Sequence, residues 1–199
     1  MTEKVLEFPL SKDSVNALKL GEVVYIDGTI YTARDEAHIH ALEMLEHGKK
    51  LPVVFKDSAV FHCGPIVRKT SSGYDVLAAG PTTSARMNSL EPRFIEKLAP
   101  SAIIGKGGMN KDTLVAMQKF GCCFLAITGG AAVLAAKGLK YKGVEWLELG
   151  TPEALWILEA KHFGPLIVAM DSQGESMYTN LEKEIAKNAD RIRKKLGIA

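Results

Sequence analysis

The sequence predicts an α/β fold in which helices cover both faces of a mixed, largely parallel sheet. Three segments of its second half, at 102–104, 122–127 and 163–170, are apolar strands without polar alternation. Such strands, when helices separate them, are typical of parallel sheets buried on both faces. Glycine-rich turns at 105–110 and 128–131 follow the first two strands, where α/β proteins usually bind their ligands.

The first half of the chain predicts short strands and two helices. Ser11 is placed to cap a short helix, and Asp35 is the candidate N-cap of a longer one. Asp27-Gly28 divides two β-rich segments, which predicts a strand, a turn and a second strand. The predicted elements are, in order, a strand at 4–10, a helix after Ser11, strands at 23–26 and 29–31, a helix at 35–47 stopped by Gly48, two strands within 53–67 and one at 74–77.

The second half alternates its strands with helices. A helix at 111–120 follows the first glycine turn, and small helical residues follow the second. The last helix, at about 179–196, ends in a basic run that suits the helix dipole and predicts a solvated face. The apolar stripe of that helix consists of Leu181, Ile185, Ala189, Ile192 and Leu196.

Length, charge and cysteine content indicate the number of domains, the kinds of partner and the compartment to expect. The 199 residues are predicted to form one domain, 1–199, and 25 Lys+Arg against 23 Asp+Glu leave a net charge of +2. This charge creates no long-range field for nucleic acid or an anionic membrane, so neither is expected as a partner. The uncharged window 120–136 is too short and too interrupted for a membrane span, and the N-terminal residues lack the pattern of a signal peptide, so none is expected. Three cysteines fit a reducing compartment, and we expect the cytoplasm.

Four loops could carry chemistry: 32–38, 80–87, 105–109 and 128–132. In 80–87, Gly-Pro begins a turn, and three hydroxyl residues then precede Arg86. Open backbone N–H groups at a helix start, hydroxyls and a guanidinium together predict an anion cradle. The alternative is simple capping, in which one of Thr82, Thr83 and Ser84 caps the helix and Arg86 is solvated.

Lys106 lies between glycines directly after a strand, where a ligand could approach the backbone closely. The segment is not a P-loop, because Gly107 follows the lysine, and it does not match the dinucleotide fingerprint. His38 could carry a proton or serve packing, and the histidines show no metal-ligand spacing. Trp146 and Trp156 are expected in the core or an interface.

The cysteines exclude an iron–sulfur cluster held by this chain alone. Cys122 and Cys123 are adjacent on a predicted strand, so their side chains point to opposite faces. Only one of them could therefore share a site with Cys63, whereas a cluster needs about three or four thiolates around one volume.

The four loops resemble one known family. Thr-x-Arg-Asp-x-Ala-His at 32–38, Gly-Pro-Thr-Thr-Ser-x-Arg-Met at 80–87, Gly-Lys-Gly-Gly-Met at 105–109 and Thr-Gly-Gly-Ala-Ala at 128–132 are similar to the iron–sulfur hydro-lyases. More narrowly, they resemble the β subunit, or C-terminal domain, of class I fumarases and L-tartrate dehydratases. The segments 146–156, 163–165 and 171–174 extend the resemblance over nearly the whole chain.

The resemblance implies a swivelling β/β/α domain that works in a hetero-oligomer with a cluster-binding α subunit. That subunit holds a [4Fe–4S] cluster, one iron of which acts as Lewis acid on the substrate hydroxyl, and this chain binds no metal. The implied reaction is reversible hydration of a C4-dicarboxylate double bond, with fumarate as the first expectation and tartrate dehydration as the alternative. A rival from another class is a non-catalytic module for small anions or partner docking.

The resemblance also assigns roles to residues of this chain. Arg34, Arg86 and Lys106 would bind the substrate carboxylates, and Thr83 would donate a hydrogen bond. Thr82, together with Lys106, is implied as catalytic, with Thr82 as the base that removes the proton beside a carboxylate. His62-Cys63 departs from the family, which has Tyr and a small residue before this Gly-Pro.

Overall fold

The structure is a computed structural model that describes residues 4–198. Within that range, strands and helices alternate along most of the chain. The strands are β1 (Lys4–Phe8), β2 (Val23–Thr32), β3 (Ala59–Phe61), β4 (Ile66–Thr70), β5 (Gly73–Ala78), β6 (Ala102–Gly105), β7 (Cys123–Ala126), β8 (Leu139–Glu145) and β9 (Leu155–Met170). The helices are α1 (Lys12–Asn16), α2 (Asp35–Glu46), α3 (Glu91–Leu98), α4 (Lys111–Phe120), α5 (Ala132–Ala136) and α6 (Met177–Leu196), with 3₁₀ turns at Ser84–Met87 and Leu147–Leu149.

Seven strands form one sheet in the order β1-β2-β3-β6-β7-β9-β8. The first five run parallel to their neighbours, whereas β9 is antiparallel to β7, β8 and β2. Because β9 pairs with both β7 and β2, strands β2, β3, β6, β7 and β9 close into a ring. Strands β4 and β5 form a separate antiparallel ribbon. The predicted α/β class, with a mixed sheet and flanking helices, is confirmed, and the sheet closes through β9.

The central strands are apolar throughout because both of their faces are buried. In β6, Ile104 belongs to a core cluster that also contains residues of α1 and α5. Its neighbour Ile103 belongs to a second cluster that contains residues of α2, α3 and α4. Both side chains are fully buried. This arrangement explains the missing polar alternation, since successive side chains of a strand point to opposite faces.

The predicted strand, turn and strand at 23–31 is wrong, because β2 is one continuous strand through Asp27-Gly28. Gly28 has φ 108° and lies at a register shift between β2 and β9. A Cβ at this position would be 2.4 Å from the carbonyl oxygen of Phe8 on the neighbouring strand β1. Glycine here therefore allows a bulge and a close backbone approach within a strand.

Of the two predicted helix caps, the one at Ser11 is confirmed and the one at Asp35 is wrong. The Ser11 hydroxyl accepts a hydrogen bond from the Ser14 N–H at 3.3 Å, as predicted for α1. At α2, Arg34 and not Asp35 is the N-cap residue, and its side chain makes no capping bond. Asp35 is instead the first helical residue, where its charge suits the helix dipole.

Helix α6 has no buried residue, and the large members of its predicted stripe (Leu181, Ile185, Ile192 and Leu196) are all exposed. The two tryptophans behave as predicted, since Trp146 and Trp156 are both buried in the core clusters. Among residues 4–198, no helix is long and apolar enough to cross a membrane.

Candidate active site

The predicted loops follow the carboxyl ends of parallel strands. Arg34 comes two residues after β2, Lys106 directly after β6, and the turn at 128–130 shortly after β7. The fourth loop, at 80–87, is tied to these ends by a backbone bridge between Cys63 and Pro81. The strands β2, β3, β6 and β7 are parallel neighbours, so their loops lie at one end of the ring.

Arg34 is held by a carboxylate that the sequence did not indicate. Its Nη2 lies 3.1 Å from Glu153 Oε1, and both side chains are mostly buried. The other oxygen of Glu153 accepts a hydrogen bond from the Glu36 N–H at 3.2 Å. The guanidinium also packs over Gly64, where a Cβ would be 2.9 Å from Nη1. The Nε of Arg34 is buried and has no hydrogen-bond partner among the described residues, so one donor of this cation is unsatisfied.

Arg86 lies in the 3₁₀ turn that follows the three hydroxyl residues. Its Nη2 and Nε lie 3.0 and 3.2 Å from the two carboxylate oxygens of Asp35. The Nε contact is a hydrogen bond, and the Nη2 contact adds an ion pair to it. The side chain is about half exposed, at 54%. The pair joins the 80–87 loop to the start of α2, next to Arg34.

The predicted cradle of open backbone N–H groups is wrong in three places. The N–H of Thr82 donates to the His62 carbonyl at 2.7 Å, and the N–H of Ser84 donates to the Lys106 carbonyl at 3.0 Å. The N–H of Arg86 donates to the Thr83 carbonyl at 3.3 Å. The helix start is a short 3₁₀ turn, in which the N–H groups of Thr82 and Ser84 join the loop to neighbouring segments and that of Arg86 bonds within the turn.

The three hydroxyls have separate surroundings. Thr83 is the N-cap residue of the 3₁₀ turn, yet its side chain makes no capping bond, so the capping alternative fails there. The Ser84 hydroxyl is buried and lies 2.9 Å from His62 Nδ1. Within residues 4–198, the side-chain hydroxyls of Thr82 and Thr83 make no hydrogen bond, which leaves both available to a ligand.

Lys106 extends from the end of β6 across the glycine turn of the next strand. Its backbone bridges to Thr83, and its Nζ lies 3.8 Å from the position of a Cβ at Gly129. In the described part of the chain, no carboxylate pairs with the Lys106 ammonium. The preceding Gly105 is required for packing, because a Cβ there would be 2.0 Å from Ser84 Oγ.

A buried cluster of His38, His62 and Glu91 lies beneath these loops, and its three side chains have no exposed surface. Each His Nε2 lies close to Glu91 Oε2, at 3.2 Å for His38 and 3.0 Å for His62. The sequence showed no metal-ligand spacing here, since the residues are far apart along the chain. The sequence singled out His38 and the departure at His62, but nothing in it indicated that Glu91 joins them.

Burial and charge pairing shift the pKa values of this cluster in different directions. Burial raises the pKa of Glu91, but the neighbouring His38 and His62 lower it more, to about 2. Burial lowers the pKa of His38, but the Glu91 carboxylate raises it more, so the net shift is upward. For His62 burial prevails over Glu91, and its pKa is lowered. Glu91 is therefore ionised inside the core.

Comparison with known proteins gives the family. The profile described as the fumarase C-terminus matches residues 2–181. The chain belongs to this family. It is 46% identical over 185 residues to the putative L(+)-tartrate dehydratase subunit beta of Methanocaldococcus jannaschii, covering 92% of this chain and 95% of that protein. It is 38% identical over 191 residues to the L(+)-tartrate dehydratase subunit beta of Escherichia coli, covering 96% and 94%.

A third relative in this family is a longer protein than this chain. The putative fumarate hydratase class I of Geobacillus stearothermophilus is 39% identical over 180 residues. The match covers 89% of this chain but 34% of that relative. The expected resemblance to fumarase and tartrate dehydratase chains is thus confirmed.

The cysteines of this family member do not form a cluster ligand set. Cys63 and Cys123 belong to one core cluster, whereas Cys122 belongs to the other, as their adjacent positions predict. Burial raises the pKa of Cys63 and of Cys123 to about 12, and it also raises that of Cys122. Iron–sulfur clusters are bound by thiolates, so these buried thiols do not fit one.

Proposed function

We propose that this chain is the substrate-binding β subunit of an iron–sulfur hydro-lyase that reversibly hydrates fumarate to (S)-malate. The observation that carries the proposal is a pair of unsatisfied donors at one end of the ring. The Nε of Arg34 is buried without a partner, and the Lys106 ammonium has no carboxylate partner among residues 4–198. A dianionic ligand would supply acceptor oxygens for these donors.

The arrangement also favours a small dicarboxylate. Arg34 and Arg86 are each oriented by a carboxylate of the chain, which reduces the freedom they lose when a ligand binds. Removing a proton beside a carboxylate builds negative charge on that carboxylate, which fixed cations stabilise in a partly dry site. Lys106, Arg34 and Arg86 would therefore bind the two carboxylates and hold the developing charge.

Thr82 would act as the base, and Thr83 would donate a hydrogen bond to the substrate. A threonine hydroxyl is a very weak acid, so its alkoxide requires neighbouring cations, and Lys106 or Arg86 could provide them. Both hydroxyls lack a partner within the described chain, which leaves them free for these roles. The Lewis-acid chemistry at the substrate hydroxyl would come from a [4Fe–4S] cluster on a partner.

The partner would be a cluster-binding α subunit. Two relatives that match over 95% and 94% of their length are named as beta subunits, and a third relative carries this region as about a third of a longer chain. The cysteine arrangement described above agrees with a cluster held elsewhere. We infer a cytoplasmic hetero-oligomer, with two copies of each subunit as the family suggests.

Dehydration of L-tartrate is the second candidate, because the relatives from M. jannaschii and E. coli are named as tartrate dehydratase subunits. Fumarate and tartrate have the same two carboxylates and differ in their hydroxyl groups. The cations of this chain serve either substrate.

The test is to purify the full chain from its source with any protein that remains bound and to assay the complex. We expect a brown, cluster-bearing partner and interconversion of malate and fumarate, followed by the ultraviolet absorbance of fumarate. Parallel assays use both enantiomers of tartrate, and turnover of L-tartrate alone would replace the first candidate by the second. A colourless chain that binds neither dicarboxylate would instead indicate a non-catalytic module.

A further inference from the structure

The buried side chains of His38, His62 and Glu91 face one another and make up a candidate metal-binding cluster. The residues come from α2, from the position after β3 and from the start of α3. Their three facing atoms lie within 4.8 Å of one another. Both Nε2 atoms and both carboxylate oxygens lack a hydrogen-bond partner. The two nitrogens lie at ion-pair distance from one carboxylate oxygen, but no described group outside the cluster hydrogen-bonds to any of these atoms, so the centre of the cluster can hold a cation.

The hydrogen-bond partners of the two Nδ1 atoms indicate where the protons of the two imidazole rings lie. Nδ1 of His38 lies 2.7 Å from the carbonyl oxygen of Arg34, which can only accept, so Nδ1 carries the proton. In a neutral ring, Nε2 then presents a lone pair to the Glu91 carboxylate. Nδ1 of His62 lies 2.9 Å from the Ser84 hydroxyl, which accepts a proton from Nδ1 in one tautomer of the ring and donates its own in the other. When both rings are neutral and carry their protons on Nδ1, lone pairs face lone pairs, and a cation between them would satisfy all of these atoms.

We propose that His38, His62 and Glu91 form a buried site for a divalent metal ion, and that Zn²⁺ is its preferred occupant. Two imidazole nitrogens and a carboxylate are ligands that Zn²⁺ accepts, and the second carboxylate oxygen supplies a fourth donor atom. Ligand atoms around a tetrahedral Zn²⁺ lie about 3.3 Å apart, from bond lengths of about 2.0–2.1 Å. The observed N–O separations of 3.0 and 3.2 Å are close to this value.

The groups bonded to the outer nitrogens of the two rings resemble those that orient metal-bound histidines. Metal-bound histidines usually donate their other ring N–H to a carbonyl or carboxylate, which fixes the tautomer. Here the Arg34 carbonyl and the Ser84 hydroxyl take that position for the two rings. An ion bound at this depth has no open position for substrate, so its role is structural.

The same two contacts connect the proposed ion site to the candidate active site. His38 contacts the backbone of Arg34, and His62 contacts Ser84, whose N–H donates to the Lys106 carbonyl. The metal ion would therefore fasten three loops that carry the proposed substrate cations. This connection does not depend on which dicarboxylate is bound, or on whether one is.

The test measures metal binding by the full chain alone. The chain is stripped with a chelator and titrated with Zn²⁺ against a chromophoric chelator, and then with Co²⁺. We expect one Zn²⁺ per chain, a higher melting temperature with Zn²⁺, and the visible absorption of tetrahedral Co²⁺. Glu91→Gln and His62→Gln should each weaken Zn²⁺ binding at least about 100-fold, since even second-shell changes cost 10–100-fold. His47→Gln, at an exposed histidine outside the cluster, should bind as the parent does.

A further variant keeps the test decisive if the glutamine variants do not fold. His62→Cys retains a donor atom for the metal, so it should bind Co²⁺ and add a sulfur-to-metal charge-transfer band. The proposal is overturned if the stripped parent chain is folded by circular dichroism yet takes up neither Zn²⁺ nor Co²⁺. It is also overturned if His62→Gln binds Zn²⁺ as tightly as the parent. A shared proton on one of the rings would then be the cation of this cluster.

Discussion

Replacing Gly105 by Ala tests the packing that joins the loops of the candidate site. The new Cβ would lie 2.0 Å from Ser84 Oγ, so the serine side chain must move by more than 1 Å to reach an ordinary contact. That movement breaks its buried 2.9 Å contact with His62 Nδ1 and leaves polar atoms unsatisfied, at about 1–3 kcal/mol. Forcing a methyl group into a packed site costs about 1–3 kcal/mol more. We expect Gly105→Ala to lower the free energy of unfolding by about 2–6 kcal/mol.

Urea unfolding of the full chain measures this change, and Gly129→Ala is the matched control. Neither glycine has a left-handed φ, so alanine strains the backbone at neither position. At Gly129 the nearest atom is 3.7 Å away, and the substitution should be neutral or slightly stabilising. In a Ser84→Ala background the clash is gone, and Gly105→Ala should then cost less than about 1 kcal/mol. Equal stabilities for the two single alanine variants would refute the geometry described here.

Three further predictions concern Glu153, Asp27 and the three cysteines. Glu153→Gln removes the charge that orients Arg34. It should lower the free energy of unfolding, measured in urea, by about 1 kcal/mol and raise KM in the assembled enzyme. An unchanged KM would contradict the orienting role of Glu153. Asp27 pairs with Lys161, which lowers its pKa in the folded state. Its stabilising effect is therefore present at neutral pH and lost as the pH falls through the folded pKa, so Asp27→Asn should be less stable than the parent at pH 7 and equal to it well below pH ~4. The three cysteines are buried with raised pKa values, so iodoacetamide at pH 8 should label none in the native chain and all three in urea.

Local signals in the sequence predicted those parts of the fold that depend on neighbouring residues. Helix α4 begins at Lys111 and ends at Phe120, as predicted, because Asn110 caps it and Gly121 takes the left-handed conformation that ends it. The Asp27-Gly28 pair misled because the same dipeptide that favours a turn also permits a bulge. Only the Phe8 carbonyl of β1, distant in sequence, decides between them.

In the candidate site, too, the features set by neighbouring residues were predicted, and the contacts between distant residues were not. The strand-to-loop pattern placed Arg34 and Lys106 at one edge of the sheet, and the contacts of the loops agree with that placement. Glu153 and Glu91 could not be predicted as partners, because each contacts residues far away along the chain. The Arg86–Asp35 pair was missed because Asp35 looked like a helix cap, whereas its carboxylate is bound by a guanidinium.

The central claim is that cations of this chain bind a dicarboxylate in a hydro-lyase, and Lys106 tests it most directly. The measurement is kcat for malate and for L-tartrate in the purified complex, with Lys106→Met compared to the parent and to Lys137→Met at an exposed position. Removing one donor that stabilises developing charge costs about 10²–10³ in kcat. We predict such a loss for Lys106→Met with unchanged iron content, and no loss for Lys137→Met. Parent-like turnover in Lys106→Met, with the complex intact, would contradict the account.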